Sequence, residues 1–103
     1  MADPMPGVVS DVMRLDLFLW YARLAKSRSV AAEVTRSGAV RLDGRRVERA
    51  HAPVRVGATI AFVQRNAVRV LRVERLPNRR GSAAEAASFY IDLSPVDAPG
   101  PAQ

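Results

Sequence analysis

The side chains best suited to bind a ligand are basic residues that are concentrated in one short stretch of the chain. A guanidinium donates two parallel hydrogen bonds to a phosphate, so grouped arginines are typical of surfaces that hold a phosphate backbone. Ser27 and Ser29 lie in the same stretch and supply hydroxyl groups. The cations between positions 23 and 46 are Arg23, Lys26, Arg28, Arg36, Arg41, Arg45 and Arg46.

The charge balance of the whole chain points to the same chemistry. All 16 basic residues lie between Arg14 and Arg80, where five of the ten acids lie, so this segment carries 16 − 5 = +11. So many positive charges repel one another unless an anionic partner neutralises them, and nucleic acid is the obvious anionic partner. Two alternatives stay open, namely an ordinary solvated face and the codon usage of a GC-rich genome. Codon usage explains arginine in place of lysine, but not the excess of base over acid.

Catalytic, metal and cofactor chemistry has no recognisable arrangement in this sequence. The chain has no cysteine, and its single histidine, His51, falls in a loop-like stretch. The serines in the basic stretch have no neighbouring histidine or paired acid to activate them. Neither a glycine-rich phosphate loop nor a metal-ligand cluster occurs. We therefore expect a binding protein that is not an enzyme and uses no cofactor or metal.

Targeting and membrane signals are also missing from the sequence. No apolar run approaches the roughly 18 residues that span a bilayer. Met1–Gly7 lacks the basic and apolar regions of a signal peptide. The expectation is a cytoplasmic protein with neither a membrane nor a small molecule as its partner, while its oligomeric state is left open.

Residues 11–25 have the periodicity of a helix that is apolar on two sides. Both sides are expected to be covered, because a surface helix is polar where it meets water. The first apolar stripe, at i, i+3, i+4 and i+7, consists of Leu15, Phe18, Leu19 and Ala22. The second stripe consists of Met13, Leu17, Trp20 and Leu24. Trp20 and its neighbour Tyr21 are both able to stack on bases, but the stripe assigns Trp20 to the core and leaves Tyr21 more open.

The next elements place the cations on a helix and a hairpin. Ser27 is a suitable N-cap for a second helix that ends near Ser37, and Gly38 suits a left-handed helix end. The pair Asp43-Gly44 predicts a tight turn between strands at 39–42 and 46–47. Lys26 and the arginines of the basic stretch would then gather around the helix junction and this hairpin.

A second hairpin and a last helix are predicted further along the chain. The hairpin joins strands at 59–64 and 68–74 through a turn at 65–67, and a slip in the apolar phase between Val70 and Leu71 resembles a bulge. Ser82 and Glu85 match a capping box that opens a helix over 82–91, expected to cover the second stripe.

These elements predict an α+β fold. Two N-terminal helices pack on a small, mostly antiparallel sheet, and a short C-terminal helix follows. One domain is expected at 11–94, between flexible tails at 1–10 and 95–103.

Three motifs together resemble the RNA-binding domain named after ribosomal small-subunit protein S-four. They are Arg14-Leu15-Asp16 at a helix start, Ser27-Arg28-Ser29-Val30-Ala31 in a second helix, and Gly38-Ala39-Val40-Arg41-Leu42-Asp43-Gly44 before a turn. The resemblance covers about residues 14–60. It implies an RNA-facing motif at or beside Arg14, Arg23, Lys26, Ser27, Arg28, Ser29, Arg36 and Arg41.

Two further segments narrow the resemblance. The opening RLDLFLWYAR at 14–23 and the segment PNRRGSAAEAASFY at 77–90 are similar to the ribosome-associated heat-shock protein fifteen family. That similarity implies a bacterial stress-response protein that binds ribosomal RNA of a large subunit carrying an unfinished nascent chain. The alternatives are a binder of another structured RNA, such as tRNA, and a DNA-binding protein. The same domain is also an appendage of pseudouridine synthases and tyrosyl-tRNA synthetases, but 103 residues leave no room for their catalytic domains.

Overall fold

The structure is a computed structural model that describes residues 11–64 and 66–94. The two predicted tails and Arg65 lie outside the described residues. The helices are α1 Leu15–Tyr21, α2 Arg28–Arg36 and α3 Ala83–Ala86. The strands are β1 Met13–Arg14, β2 Val40–Leu42, β3 Arg45–Val47, β4 Pro53–Val54, β5 Thr59–Gln64, β6 Ala67–Val73 and β7 Tyr90–Asp92.

Helix α1 begins later than the periodicity predicts. The predicted start at residue 11 is wrong because β1 is extended and pairs antiparallel with β4. The first helical N–H groups, of Leu15 and Asp16, donate to the carbonyls of Ala52 at 2.9 Å and Ala50 at 3.0 Å. The helix start is therefore set by a loop more than 30 residues away in sequence, which no local pattern reveals.

Helix α1 also ends earlier than predicted. Arg23 adopts a left-handed conformation with φ 59°, so the predicted end at residue 25 is wrong. The N–H groups of Leu24 and Ala25 fold back onto the carbonyl of Leu19. The seven-residue helix nevertheless keeps the first apolar stripe, which is almost completely buried: Leu15, Phe18, Leu19 and Ala22.

Helix α2 confirms the prediction made from its capping residues. The Ser27 Oγ accepts a hydrogen bond from the Val30 N–H at 3.1 Å. Ala31 and Thr35 are buried on the core side, where the Thr35 hydroxyl donates to the Ala31 carbonyl at 2.7 Å. Gly38 follows the helix with φ 82°, the left-handed conformation that glycine adopts without a Cβ penalty.

The larger sheet is antiparallel throughout its five strands, in the order β3-β2-β5-β6-β7. The first hairpin is confirmed, since Asp43 (φ 54°) and Gly44 (φ 84°) take the two left-handed positions of its turn. Strands β5 and β6 pair without a break from Thr59↔Arg72 to Gln64↔Ala67. The predicted bulge is therefore wrong, and the second turn is one residue shorter than predicted.

One face of this sheet forms the core together with the helices. Val40, Ile60 and Leu71 are fully buried on that face and belong to the same cluster as the first stripe of α1. The other face, which we call the outer face, carries alternate residues such as Arg41 and Arg72, both exposed.

The C-terminal segment forms a short helix and then a strand. The capping box is confirmed, because the Ser82 Oγ accepts from the Glu85 N–H and the Glu85 carboxylate accepts from the Ser82 N–H. These bonds, together with Arg79, lower the pKa of Glu85. The predicted helix to residue 91 is wrong beyond Ala86, because β7 pairs with the free edge of β6. Ala86 and Phe89 still reach the core.

Candidate nucleic-acid interface

The basic residues of the chain differ in their partners. Among the residues that the structure describes, ion pairs with carboxylates occupy Arg14, Arg46, Arg55, Arg69, Arg72 and Arg79. Within the same described part, six of the sequence-predicted cations are exposed and make no ion pair. Arg23 is one of them, but it donates to the Gly81 carbonyl. We call the other five the cation set: Lys26, Arg28, Arg36, Arg41 and Arg45.

Helix α2 positions two members of the cation set. Arg28 opens the helix and Arg36 closes it, and at 3.6 residues per turn the two positions lie about 80° apart around the helix axis. Lys26 lies just before the Ser27 cap. Ser29 is exposed in the first turn, where helical N–H groups have no intrahelical acceptor and the dipole favours an anion. Both ends of α2 therefore present donors to an anionic partner.

The first hairpin positions the other members. Arg41 in β2 and Arg46 in β3 stand directly opposite each other in register, on the outer face of the sheet. Like charges placed opposite each other on a sheet repel, so this pair gains from an anion between or above the two guanidinium groups. Arg45 pairs with Leu42 and belongs to the other face, at the exposed end of the hairpin.

Arg46 joins the hairpin to the end of α2. A Cβ atom built on Gly38 would lie 2.8 Å from the Arg46 Nε and 2.9 Å from its Nη2, so the guanidinium packs directly on the glycine backbone. The Arg46 pair with Glu48 is loose, at 3.7 Å between two side chains that are at least 60% exposed. Gly38 thus provides the space that lets this cation lie beside the helix terminus.

Arg14 is held by Asp16. Its Nε and Nη2 donate to the two carboxylate oxygens at 3.0 and 2.8 Å, and these bonds raise the pKa of Arg14. Asp16 is buried and its Oδ1 also accepts the Leu17 N–H at 2.8 Å. Half of the Arg14 side chain remains exposed, but its charge is already balanced. The structure therefore sets Arg14 apart from the cation set.

Arg23 lies at the helix junction but turns toward the C-terminal segment. Its Nε donates to the Gly81 carbonyl at 2.6 Å, while the Gly81 N–H donates to the Tyr21 carbonyl at 3.2 Å. Arg23 therefore helps to attach residues near 81 to the end of α1. The Arg23 side chain is exposed and makes no ion pair within the described residues.

Two further basic residues of the candidate interface were not predicted from the sequence. Arg49 is exposed and makes no ion pair within the described residues, and the dense run Arg45–Arg49 is the signal that could have identified it. Arg80 lies over the Trp20 ring, with its guanidinium carbon 5.5 Å from the ring centroid. No local pattern pairs two residues that are 60 positions apart.

Neither a metal cluster nor a membrane-spanning helix occurs in the described part of the chain. Within 11–64 and 66–94, no group of three metal-ligating side chains is close enough to hold an ion. None of the helices in those ranges has both the length and the apolar character needed to cross a bilayer.

Comparison with known proteins identifies the family. The family model described as the S4 domain matches residues 13–60, the segment that contains α1, α2 and the first hairpin. Heat shock protein 15 of Escherichia coli (strain K12) is 36% identical over 82 residues, which are 80% of this chain and 61% of that protein. The heat shock protein 15 homolog of Aeromonas salmonicida is 36% identical over 87 residues, which are 84% of this chain and 65% of the homolog. The chain thus spans less than two thirds of these relatives.

A solved structure resembles the described fold. The trimeric structure of Vibrio cholerae heat shock protein 15 has a TM-score of 0.74 to this chain and 32% sequence identity. The similarity covers 79% of this chain and 81% of that one. Fold, sequence and the S4 match therefore agree, and the chain belongs to the S4-domain family of heat shock protein 15.

Proposed function

We propose that this protein binds folded RNA through α2 and the β2–β3 hairpin. The observation that carries the proposal is the cation set, five exposed cations that have no carboxylate partner within the described residues, all in the segment that matches the S4 domain. Six other arginines pair with acids, for example Arg55 with Asp11 at 3.2 Å and Arg69 with Asp92 at 2.9 Å. Most cations that make no ion pair in the described part of the chain therefore lie in the S4 segment, where phosphates would neutralise them.

The acids within the S4 segment do little to balance this charge. Asp43 uses its Oδ1 to accept the Thr59 N–H at 2.9 Å, which ties the hairpin turn to β5. Asp16 is buried against Arg14. Glu33 and Glu48 are both exposed, and within the described residues only Glu48 makes an ion pair, with Arg46 at 3.7 Å.

The side chains of α2 suit contacts with a phosphate backbone. The nine residues of the helix, RSVAAEVTR, place an arginine at each end, and phosphate contacts position a protein without reading bases. Folded RNA is recognised mainly through its shape and its backbone, which suits a helix flank and hairpin carrying guanidinium groups.

We further propose that the RNA is ribosomal, on the large subunit carrying an unfinished nascent chain, and that the protein serves recycling during heat shock in the cytoplasm. Membership of the heat shock protein 15 family supports this target. The proposed role is binding without catalysis. Transfer RNA and duplex DNA are the competing targets.

Sedimentation of cell extract through a sucrose gradient tests the target. The protein should travel with free large subunits, and more of it should do so after heat shock. Migration with small subunits, or at the top of the gradient, would contradict the ribosomal target. Competition of purified protein between folded ribosomal RNA, tRNA and duplex DNA then separates the three partners.

A pair of glycine substitutions tests the role of Arg46. Gly38→Ala and Gly44→Ala both place a Cβ at a left-handed position, so each should lower the free energy of unfolding by about 1 kcal/mol. Only the Cβ at Gly38 meets a side chain, the Arg46 guanidinium, whereas nothing lies within 4 Å of the one at Gly44. Gly38→Ala should therefore displace Arg46 and weaken RNA binding roughly fivefold, the loss of one contact of about 1 kcal/mol, whereas Gly44→Ala should bind like the parent.

Urea denaturation measures the first effect and fluorescence anisotropy with labelled RNA measures the second. Equal affinities of the two variants would show that Arg46 does not contact RNA from its position on Gly38.

A further inference from the structure

A cluster of two aromatic rings and two arginines lies where α1 meets the C-terminal segment. Trp20 and Tyr21 end α1, with ring centroids 5.6 Å apart and planes tilted by 38°. Two arginines bridge this junction. Arg23, next to α1, donates a hydrogen bond to the Gly81 carbonyl, and Arg80, in the C-terminal segment, donates one to the Trp20 carbonyl. We call these four residues the aromatic platform. Trp20, Tyr21 and Arg23 fall within the S4 match, whereas Arg80 lies beyond it.

The contacts of Arg80 hold one ring in place. Its Nε donates to the Trp20 carbonyl at 3.1 Å while its guanidinium covers the Trp20 ring. Trp20 is half-buried and also packs against the core. A cation therefore already covers this indole, whose ring lies beside that of Tyr21.

Tyr21 differs from Trp20 in its packing. Both residues are partly exposed, but among the described residues Tyr21 is not one of those that pack against the core cluster. Its backbone carbonyl accepts the Gly81 N–H, which ties the main chain at this point to the C-terminal segment. A partly exposed ring outside the core, with a second ring beside it, offers a flat surface for a base.

The cations of the platform lack acidic partners. Within the described residues, neither Arg23 nor Arg80 pairs with a carboxylate, whereas the adjacent Arg79 pairs with Glu85 at 3.2 Å. Both arginines use Nε for a backbone carbonyl, which leaves Nη groups for an anion. The platform thus combines a π surface with phosphate donors, the combination that holds an unpaired nucleotide.

We propose that the aromatic platform binds an unpaired base of the RNA, which stacks on Tyr21 while Arg23 and Arg80 contact its flanking phosphates. The proposal rests on the proposed RNA-binding function and deepens it. The cation set would hold the paired backbone, and the platform would require a bulged or looped nucleotide next to it. A fully paired helix offers no base for Tyr21, because its bases are stacked inside.

The single tryptophan of the chain gives a direct signal for this site. Two RNA hairpins with the same stem serve as probes, one fully paired and one with a single unpaired adenosine. Titration of the full chain should quench Trp20 fluorescence more strongly with the bulged hairpin, which should also bind more tightly. Tyr21→Ala should weaken binding of the bulged hairpin about tenfold, the loss of one base–aromatic stack, and leave the paired hairpin unchanged.

Conservative variants separate stacking from packing. Tyr21→Phe keeps the ring and should retain the preference for the bulge, whereas Tyr21→Leu keeps apolar volume and should lose it. Circular dichroism confirms the fold, and Tyr21→Leu replaces Tyr21→Ala if the latter does not fold. Equal binding of both hairpins by the parent, or an unchanged preference in Tyr21→Leu, would overturn the platform and leave the RNA-binding function standing. Absence of binding to both hairpins would overturn both.

Discussion

Replacing Arg28, Arg36 and Arg41 together with alanine is expected to weaken binding to ribosomal RNA by roughly 100-fold, the loss of three contacts that each contribute about 1 kcal/mol. All three are exposed members of the cation set, and none is among the buried core residues. Circular dichroism and the melting temperature should therefore stay close to those of the parent. Arg23 is left in place because its bond to Gly81 attaches the C-terminal segment.

A matched variant separates position from charge. Replacing Arg55, Arg72 and Arg79 with alanine removes the same three charges from exposed side chains that already pair with acids. Exposed ion pairs contribute little to stability, so this variant should fold and bind RNA nearly as well as the parent. If both triple variants lose affinity equally, binding depends on total charge and the cation set has no special role.

The salt dependence gives a second measurement on the same variants. The slope of log affinity against log salt should shrink by about 0.7 to 0.9 for each phosphate contact that a substitution removes, a range calibrated on DNA. Preference among RNA sequences should change little, because phosphate contacts position a protein without reading bases. An unchanged slope in the variant of the cation set would mean that these arginines are a solvated surface.

Phe89→Ala is expected to lower the free energy of unfolding by about 3 kcal/mol. Phe89 is 6% exposed, and its ring lies against Gly81, where a Cβ would come within 3.0 Å of it. The Arg75 guanidinium covers the ring at 5.4 Å from the centroid. Removing the ring would leave a cavity between α3 and the end of β6, where the Phe89 carbonyl accepts the Glu74 N–H.

Ile91→Ala is the control, two residues further along the chain. Ile91 is 41% exposed and faces Arg72 on the outer face, so its truncation should change stability by no more than about 0.5 kcal/mol. Urea denaturation followed by circular dichroism measures both variants. Similar stabilities of Phe89→Ala and Ile91→Ala would show that the C-terminal segment does not pack as described.

Local sequence signals determined the central helix and the first hairpin. The Ser27 cap, the left-handed Gly38 and the Asp43-Gly44 turn act within a few residues of chain, so their chemistry is visible in the sequence. The apolar stripe of α1 was identified for the same reason, because burial follows the 3.6-residue period. The S-four-type resemblance and the concentration of cations in that segment also came from sequence alone.

The tertiary structure decided where α1 begins and ends and which element forms after the last capping box. The carbonyls of Ala50 and Ala52 fix the start of α1, and the free edge of β6 turns residues 90–92 into a strand. A sequence pattern reports local preference, whereas these boundaries depend on backbone groups brought close by the fold.

The tertiary structure also decided which cations are free. Arg14 and Arg23 belong to the predicted site, yet Asp16 balances one and the Gly81 carbonyl holds the other. Arg80 reaches Trp20 across 60 residues and completes the aromatic platform. The sequence determined that the chain is a basic S4-type protein. The positions of its acids in the fold determined where that positive charge remains unbalanced, because the strength of an ion pair depends on the distance between the charges and not on their spacing along the chain.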